Sequence, residues 1–266
     1  MPSIHHCYLI HLLFKSVKTS DSKRNDEQAQ SLKEEGNDYF KKGDFFKSVE
    51  LYSQSISMYP TSVCYGNRSF AHYKLQNFKS SLEDATKSVQ LDRNYSKGYY
   101  RRAEAHMALQ NYELAIADFE QSDRIQPNRS LIRKLNECKR KQSEIFKEKG
   151  NTILKAGDYE KSIQLYTKSI NMYATSHCYG NRSLAHYKMQ NFENAIDDAT
   201  NALRCDENYC KGYLRRADAY VALQNYDYAI KDYKSFLTWN SNDSRIVEKI
   251  SVLEKMISTG EKNKLV

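Results

Sequence analysis

The chain has 266 residues, 40% of them hydrophobic and 28% charged, which is enough for a folded protein of about two domains. Three prolines and nine glycines are too few for the turns of an all-β protein, and a formal charge of +8 favours acidic partners. Six cysteines without a C-x-x-C pair argue against a disulfide scaffold, and no run reaches the ~18 apolar residues of a membrane helix, so an all-α, soluble protein of a reducing compartment is expected.

Residues 1–28 match nothing later in the chain and read as a disordered or poorly ordered N-terminal segment; the polar stretch from Lys15 to Gln30 is its clearest part. The apolar run Cys7–Phe14 is short, is broken by His11 and lacks a basic lead-in, so it is not read as a secretion signal. His5, His6 and His11 have no partners at metal-ligand spacing, and no metal or other cofactor is expected.

From about Ala29 onward, small and large residues recur every ~34 positions. Gly36, Ser69 and Ala103, then Gly150, Ser183 and Ala217, are the small residues that let one helix approach the next. Phe45, Phe78 and Tyr112, then Tyr159, Phe192 and Tyr226, open the partner helices. The turns fall at Gly43-Asp44, Gln76-Asn77, Gln110-Asn111, Gly157-Asp158, Gln190-Asn191 and Gln224-Asn225. No glycine or proline occurs from Asn128 to Lys149, so one continuous helix is expected over Ser130–Ala156, roughly 40 Å long. Asp243–Ser258, with Ile246, Ile250, Leu253 and Ile257 at helical spacing, reads as a terminal capping helix.

The chain is also one module made twice. Lys33 and Lys147, Asn67 and Asn181, and Lys97 and Lys211 are each 114 positions apart. Residues four apart share a helix face, so Lys97 with Arg101 and Lys211 with Arg215 form cation pairs, each a seat for an acidic group. Stacked hairpins line a groove with one face from each, which should bring Lys33, Asn37, Asn67, Lys97 and Arg101 together. Lys147, Asn151, Asn181, Lys211 and Arg215 should do the same in the second copy.

The 34-residue recurrence resembles the tetratricopeptide family in six repeats, near 29–61, 62–95, 96–129, 143–175, 176–209 and 210–243. That resemblance implies an all-α solenoid of helical hairpins, a right-handed superhelix in two three-repeat modules (29–142 and 143–266), each with a capping helix. Departures from the family pattern are Ser241 and Ala174 where proline is usual, and bulky Phe236 where a small residue is usual. The sixth repeat is therefore expected to lean on the segment after it.

The ten groove residues resemble, position by position, the dicarboxylate clamp of co-chaperone tetratricopeptide domains. That resemblance implies a non-enzymatic adaptor for the acidic C-terminal Glu-Glu-Val-Asp (EEVD) tails of the Hsp90 and Hsp70 chaperones, acting in the cytoplasm. The nucleus is the alternative if Lys139-Arg140-Lys141 acts as an import signal. By analogy the main-chain carboxylate falls to Lys33, Asn37 and Asn67, the side-chain one to Lys97, and the upstream peptide to Arg101. Phe40 in the first copy and Leu154 in the second stand where the family shapes its selectivity pocket, implying an Hsp90 preference for the first and tolerance of Hsp70 in the second.

Gly36-Asn37-Asp38-Tyr39-Phe40 and Lys97-Gly98-Tyr99-Tyr100-Arg101-Arg102 also look like the regulatory domain of tetratricopeptide-containing serine/threonine protein phosphatases. The metal-binding blocks of those enzymes are not in this sequence, so the alternative is a targeting arm for a phosphatase or client protein. No nucleophile, base and orienter combination emerges, and no aromatic pattern interleaves with the cations, so neither catalysis nor nucleic-acid or membrane binding is expected.

Overall fold

Each turn inside a hairpin passes through one residue with left-handed backbone, and that residue folds the two helices against each other. The computed structural model describes residues 24–259, and among these there are thirteen helices and no strand. They are α1 (24–42), α2 (Phe45–Met58), α3 (Ser62–Lys74), α4 (Phe78–Leu91), α5 (Ser96–Ala108), α6 (Tyr112–Ile125) and α7 (Arg129–Lys155), followed by α8 (Tyr159–Met172), α9 (Ser176–Lys188), α10 (Phe192–Cys205), α11 (Cys210–Ala222), α12 (Tyr226–Leu237) and α13 (Ser244–Thr259). The chain divides into two compact units between Cys138 and Lys139, inside the continuous 27-residue α7 that the sequence predicts.

Residues 24–28, read from sequence as part of the poorly ordered lead-in, are helical; the rest of that segment, with its histidines, lies outside the described residues. The physical reason is burial further along α1. Ala29 is covered and its carbonyl accepts a bond from the Ser55 hydroxyl of α2 (2.7 Å), so the first turns of α1 extend an anchored helix.

The six expected turns all form. Gly43 and Gly157 have φ of 84° and 86°, and Gln76, Gln110, Gln190 and Gln224 lie between 58° and 62°. At each, two amides fold back on the preceding helix, as where Gln76 donates to the Tyr73 carbonyl (3.0 Å) and Asn77 to that of His72 (2.9 Å). A side chain in this region carries a steric cost that glycine lacks. We expect Gln110→Gly to stabilise the protein by about 1 kcal/mol, measured by urea denaturation.

The six aromatic residues named above are the first residues of α2, α4, α6, α8, α10 and α12. Their small partners three residues on, Ser48, Ser81, Ala115, Ser162, Ala195 and Ala229, are fully buried. Several helix seams are polar inside: Ser88, Ser122 and Ser169 donate to the carbonyls of Ser62, Ser96 and Ser143, as Ser55 does to Ala29. Phe236 is buried against Ile246, Ile250, Leu253 and Met256, so the last hairpin does lean on α13. Met256 rather than Ile257 completes that stripe, its flexible chain filling the gap while Ile257 stays exposed.

A second polar element braces the hairpins from outside. Arg68, Arg102, Arg182 and Arg216 each grip an aspartate sixteen residues later (Asp84, Asp118, Asp198, Asp232) through paired bonds of 2.6–2.8 Å. Beside three of these struts lie His72, His106 and His186, each with Nδ1 buried and without a hydrogen-bond partner. Charging such a ring would place a second N–H where no acceptor stands. Burial therefore pushes all three below the ordinary histidine value of 6.5, against the pull of the nearby aspartates. The folded chain then binds fewer protons than the unfolded one as pH drops below 6.5, so stability is full above that pH and falls below it. A urea midpoint lower at pH 5.5 than at pH 7, with a shallower drop for His106→Gln, is the expected result.

Candidate functional site

The side chains that face the groove are those a helical turn away from the packed seam. In the first unit Asn37 on α1 and Asn67 on α3 meet directly: Asn67 Nδ2 donates to Asn37 Oδ1 (2.9 Å), and the Tyr52 hydroxyl donates to the same oxygen (2.8 Å). The second unit repeats the arrangement. There, Asn181 Nδ2 and the Tyr166 hydroxyl each donate to Asn151 Oδ1 at 2.8 Å. Burial pushes both tyrosine hydroxyls up, that of Tyr166 to about 12, so both stay protonated donors at neutral pH.

Tyr52 is held in place by Gly36. A methyl group at Gly36 would sit 2.7 Å from the Tyr52 ring, and one at Gly150 would sit 2.8 Å from Tyr166. The glycine that lets α1 approach α2 thus also sets the tyrosine that orients Asn37.

Lys33 and Asn37, one turn apart on α1, share a carboxylate. Glu34 accepts from Asn37 Nδ2 (3.0 Å) and lies 3.2 Å from the Lys33 ammonium, which also donates to Gln30. The hydrogen bond from Asn37 first, and Lys33 second, hold the Glu34 carboxyl below its ordinary value. In the second unit Glu148 accepts from Asn151 (3.3 Å) and lies 3.5 Å from Lys147, which is also paired with Glu144 at 2.6 Å. In both copies this lysine and asparagine already hold an anionic oxygen.

Lys97 and Arg101 line one cavity of about 300 Å³ with Tyr100, and Asn37, Asn67, Phe40 and Phe70 line another of about 220 Å³. The Arg101 guanidinium lies 3.4 Å above the Phe70 ring, and Phe70 packs 4.9 Å from Phe40, so one stacked column links the two. Arg215 in the second unit instead reaches the asparagines, donating to Asn181 Oδ1 (3.1 Å) and to the Tyr209 hydroxyl (3.0 Å). Lys211 stands one turn before it on α11, and Leu154 lies on the face of α7 that carries Asn151.

Sequence reasoning missed Glu34, Glu148, Phe70, Tyr52 and Tyr166. Each had a signal: the glutamates adjoin the clamp lysines in both copies, and Tyr52 and Tyr166 are again 114 apart. Position 70 changes to Leu184 just as 40 changes to Leu154. Among the described residues there is no cluster of three or more metal-ligating side chains and no helix long and apolar enough to cross a membrane.

The tetratricopeptide-repeat family model matches residues 96–129 and 211–243. The chain carries tetratricopeptide repeats. It is 39% identical over 134 residues to serine/threonine-protein phosphatase 5 of Rattus norvegicus, a match covering 50% of this chain and 26% of that protein. The chain thus spans about a quarter of the curated phosphatases it matches, and the match does not cover their phosphatase domain. It is 25% identical over 358 residues to DnaJ homolog subfamily C member 7 of Mus musculus, covering 90% of this chain and 72% of that one. Among solved structures, a complex of the TPR2AB domain of yeast Sti1 with an Hsp90 peptide aligns with a TM-score of 0.46 and 21% identity, over 87% of this chain and 99% of that one.

Because Gly36 carries both packing and orientation, Gly36→Ala is expected to cost about 1–3 kcal/mol in urea unfolding and to loosen the bond from Tyr52 to Asn37. The Asn37 amide signals in NMR would report the second effect.

Proposed function

We propose that this tetratricopeptide-repeat chain is a non-enzymatic co-chaperone adaptor that binds acidic peptide C-termini through two clamps, with the EEVD tails of Hsp90 and Hsp70 as its ligands. The observation that carries the reading is the bound carboxylate in each copy. Glu34 rests between Lys33 and Asn37, and Glu148 between Lys147 and Asn151, so these donors suit the oxygen chemistry of a chain end. Both glutamates are mostly exposed, so an incoming carboxylate displaces them at little cost.

In this reading Lys33, Asn37 and Asn67 hold the terminal carboxylate, Lys97 the aspartate side chain and Arg101 the peptide upstream. Lys147, Asn151, Asn181, Lys211 and Arg215 take the same roles in the second copy. Charge-assisted bonds of this kind are about twice as strong as neutral ones, and the asparagines add directed donors without further charge. The Phe40–Phe70 pair narrows the first pocket where Leu154 and Leu184 line the second, which supports an Hsp90 preference for the first copy and tolerance of Hsp70 in the second. Two sites on one chain raise avidity when both tails of a dimer, or two chaperones, are engaged. The action belongs in the cytoplasm, where those tails are displayed.

The likeness to phosphatase 5 favours a second reading, a targeting arm for a phosphatase supplied by another chain. Phosphatase activity co-purifying with the tagged chain would select it.

Calorimetric titration with free and C-terminally amidated tail peptides tests the clamp. The free acid is expected to bind at least tenfold more tightly, more weakly as salt rises, and at one site rather than two after Lys97→Glu. Unchanged binding in the Lys97→Glu, Lys211→Glu double variant would overturn the reading.

A further inference from the structure

The two copies differ most at the arginine of the clamp. In the first, Arg101 is drawn away from the asparagines: Nη1 donates to Glu104 Oε2 (2.7 Å) while the guanidinium lies flat on Phe70. Glu104 is buried, and its other oxygen is bonded to Lys134 of the capping segment. In the second copy Arg215 points into the asparagine cage. The equivalent of Glu104 is Asp218, one methylene shorter, and its Oδ1 accepts from the Tyr233 hydroxyl (2.5 Å) and from Lys249 of α13 (2.8 Å). Tyr233 corresponds to Phe119, which has no hydroxyl to offer, and the stacking platform Phe70 corresponds to Leu184.

Three coupled substitutions therefore decide where the arginine goes. With phenylalanine at 119, the long acid at 104 has an oxygen to spare and reach enough for Arg101, and the Phe70 face supports the guanidinium there. With tyrosine at 233, the short acid at 218 is engaged by the hydroxyl and by Lys249, and leucine at 184 offers no aromatic face. The arginine then turns to Asn181 and Tyr209.

We propose that Glu104 with Phe119, and Asp218 with Tyr233, are positioning residues that set the strength of each clamp through its arginine: a preassembled cage in the second copy, and in the first an arginine that must be won from Glu104. The proposal rests on the clamp reading above. A ligand carboxylate entering the first copy competes with an internal carboxylate for Arg101, whereas in the second it meets a guanidinium already held beside the asparagines. The first copy is the weaker and more selective of the two, since only a peptide that supplies a good replacement for Glu104 recovers the full strength of Arg101.

The test uses the full chain with one clamp disabled, Lys211→Glu to read the first copy and Lys97→Glu to read the second. Each is titrated with a free-acid peptide ending Glu-Glu-Val-Asp, and thermal melts check the fold. Arg215→Ala should weaken the second copy about tenfold, the factor of one charge-assisted bond, and Arg101→Ala the first only about twofold. Glu104→Asp with Phe119→Tyr should tighten the first copy about tenfold, and that gain should vanish when Arg101 is alanine, which a merely structural effect would not do. Phe119→Tyr alone, which leaves the pair with Lys134 intact, should give a smaller gain of the same kind, so the outcome does not hang on the fold tolerating Glu104→Asp. Equal costs for the two arginines, or a gain that survives Arg101→Ala, would overturn the proposal while leaving the clamp standing. Loss of binding in both single-clamp backgrounds would remove clamp and proposal together.

Discussion

The rest of the structure depends on how narrow the seam is between the two helices of a hairpin. One small residue on the first helix meets the second: Gly36, Ser69, Ala103, Gly150, Ser183 or Ala217. Successive helical residues are 100° apart, so fixing that one residue at the seam fixes the direction of its neighbours. With Ser69 at the seam, Arg68 flanks it and reaches Asp84, and Asn67 faces the groove. With Ala103 at the seam, Arg102 becomes the strut to Asp118 and Arg101 the groove cation. Two adjacent residues of the same charge thus take unrelated jobs because of the size of the residue that follows them.

This is also why so much was legible in the sequence. A seam of small residues every 34 positions, with an aromatic residue opening each second helix, leaves a strong periodic trace, and all six hairpins, the long central helix and the terminal cap follow from it. The placement of Asn37 beside Asn67 was legible for the same reason. The direction of each cation was less so. Arg101 and Arg215 occupy equivalent positions, yet one is set by Glu104 and Phe70 and the other by Asn181 and Tyr209. That choice turns on one methylene and one hydroxyl in residues that share no local pattern. The strut aspartates were missed because a spacing of sixteen lies outside the periods by which helices are read, although it recurs four times.

The duplicated module is therefore two versions of one device. The asparagine pair, its tyrosine, the glycine beneath it and the glutamate lying across lysine and asparagine are common to both. The aromatic column of Phe40, Phe70 and Arg101 belongs to the first copy alone, its place taken by leucines in the second. Divergence has spared the parts that grip an anion and altered those around its approach.

The buried serines of the hairpin seams bear on how stiff such a groove is. An apolar seam resists separation but tolerates sliding of one helix past another, whereas a hydroxyl bonded to a specific carbonyl pins the pair along its long axis. Ser55, Ser88, Ser122 and Ser169 provide that pin in four hairpins, and Ala202 and Phe236 stand in its place in the last two. Axial slip is thereby concentrated in the two hairpins that carry Asn181 and Arg215. The first copy keeps rigid walls around a diverted cation, and the second keeps a ready cation between walls that can give.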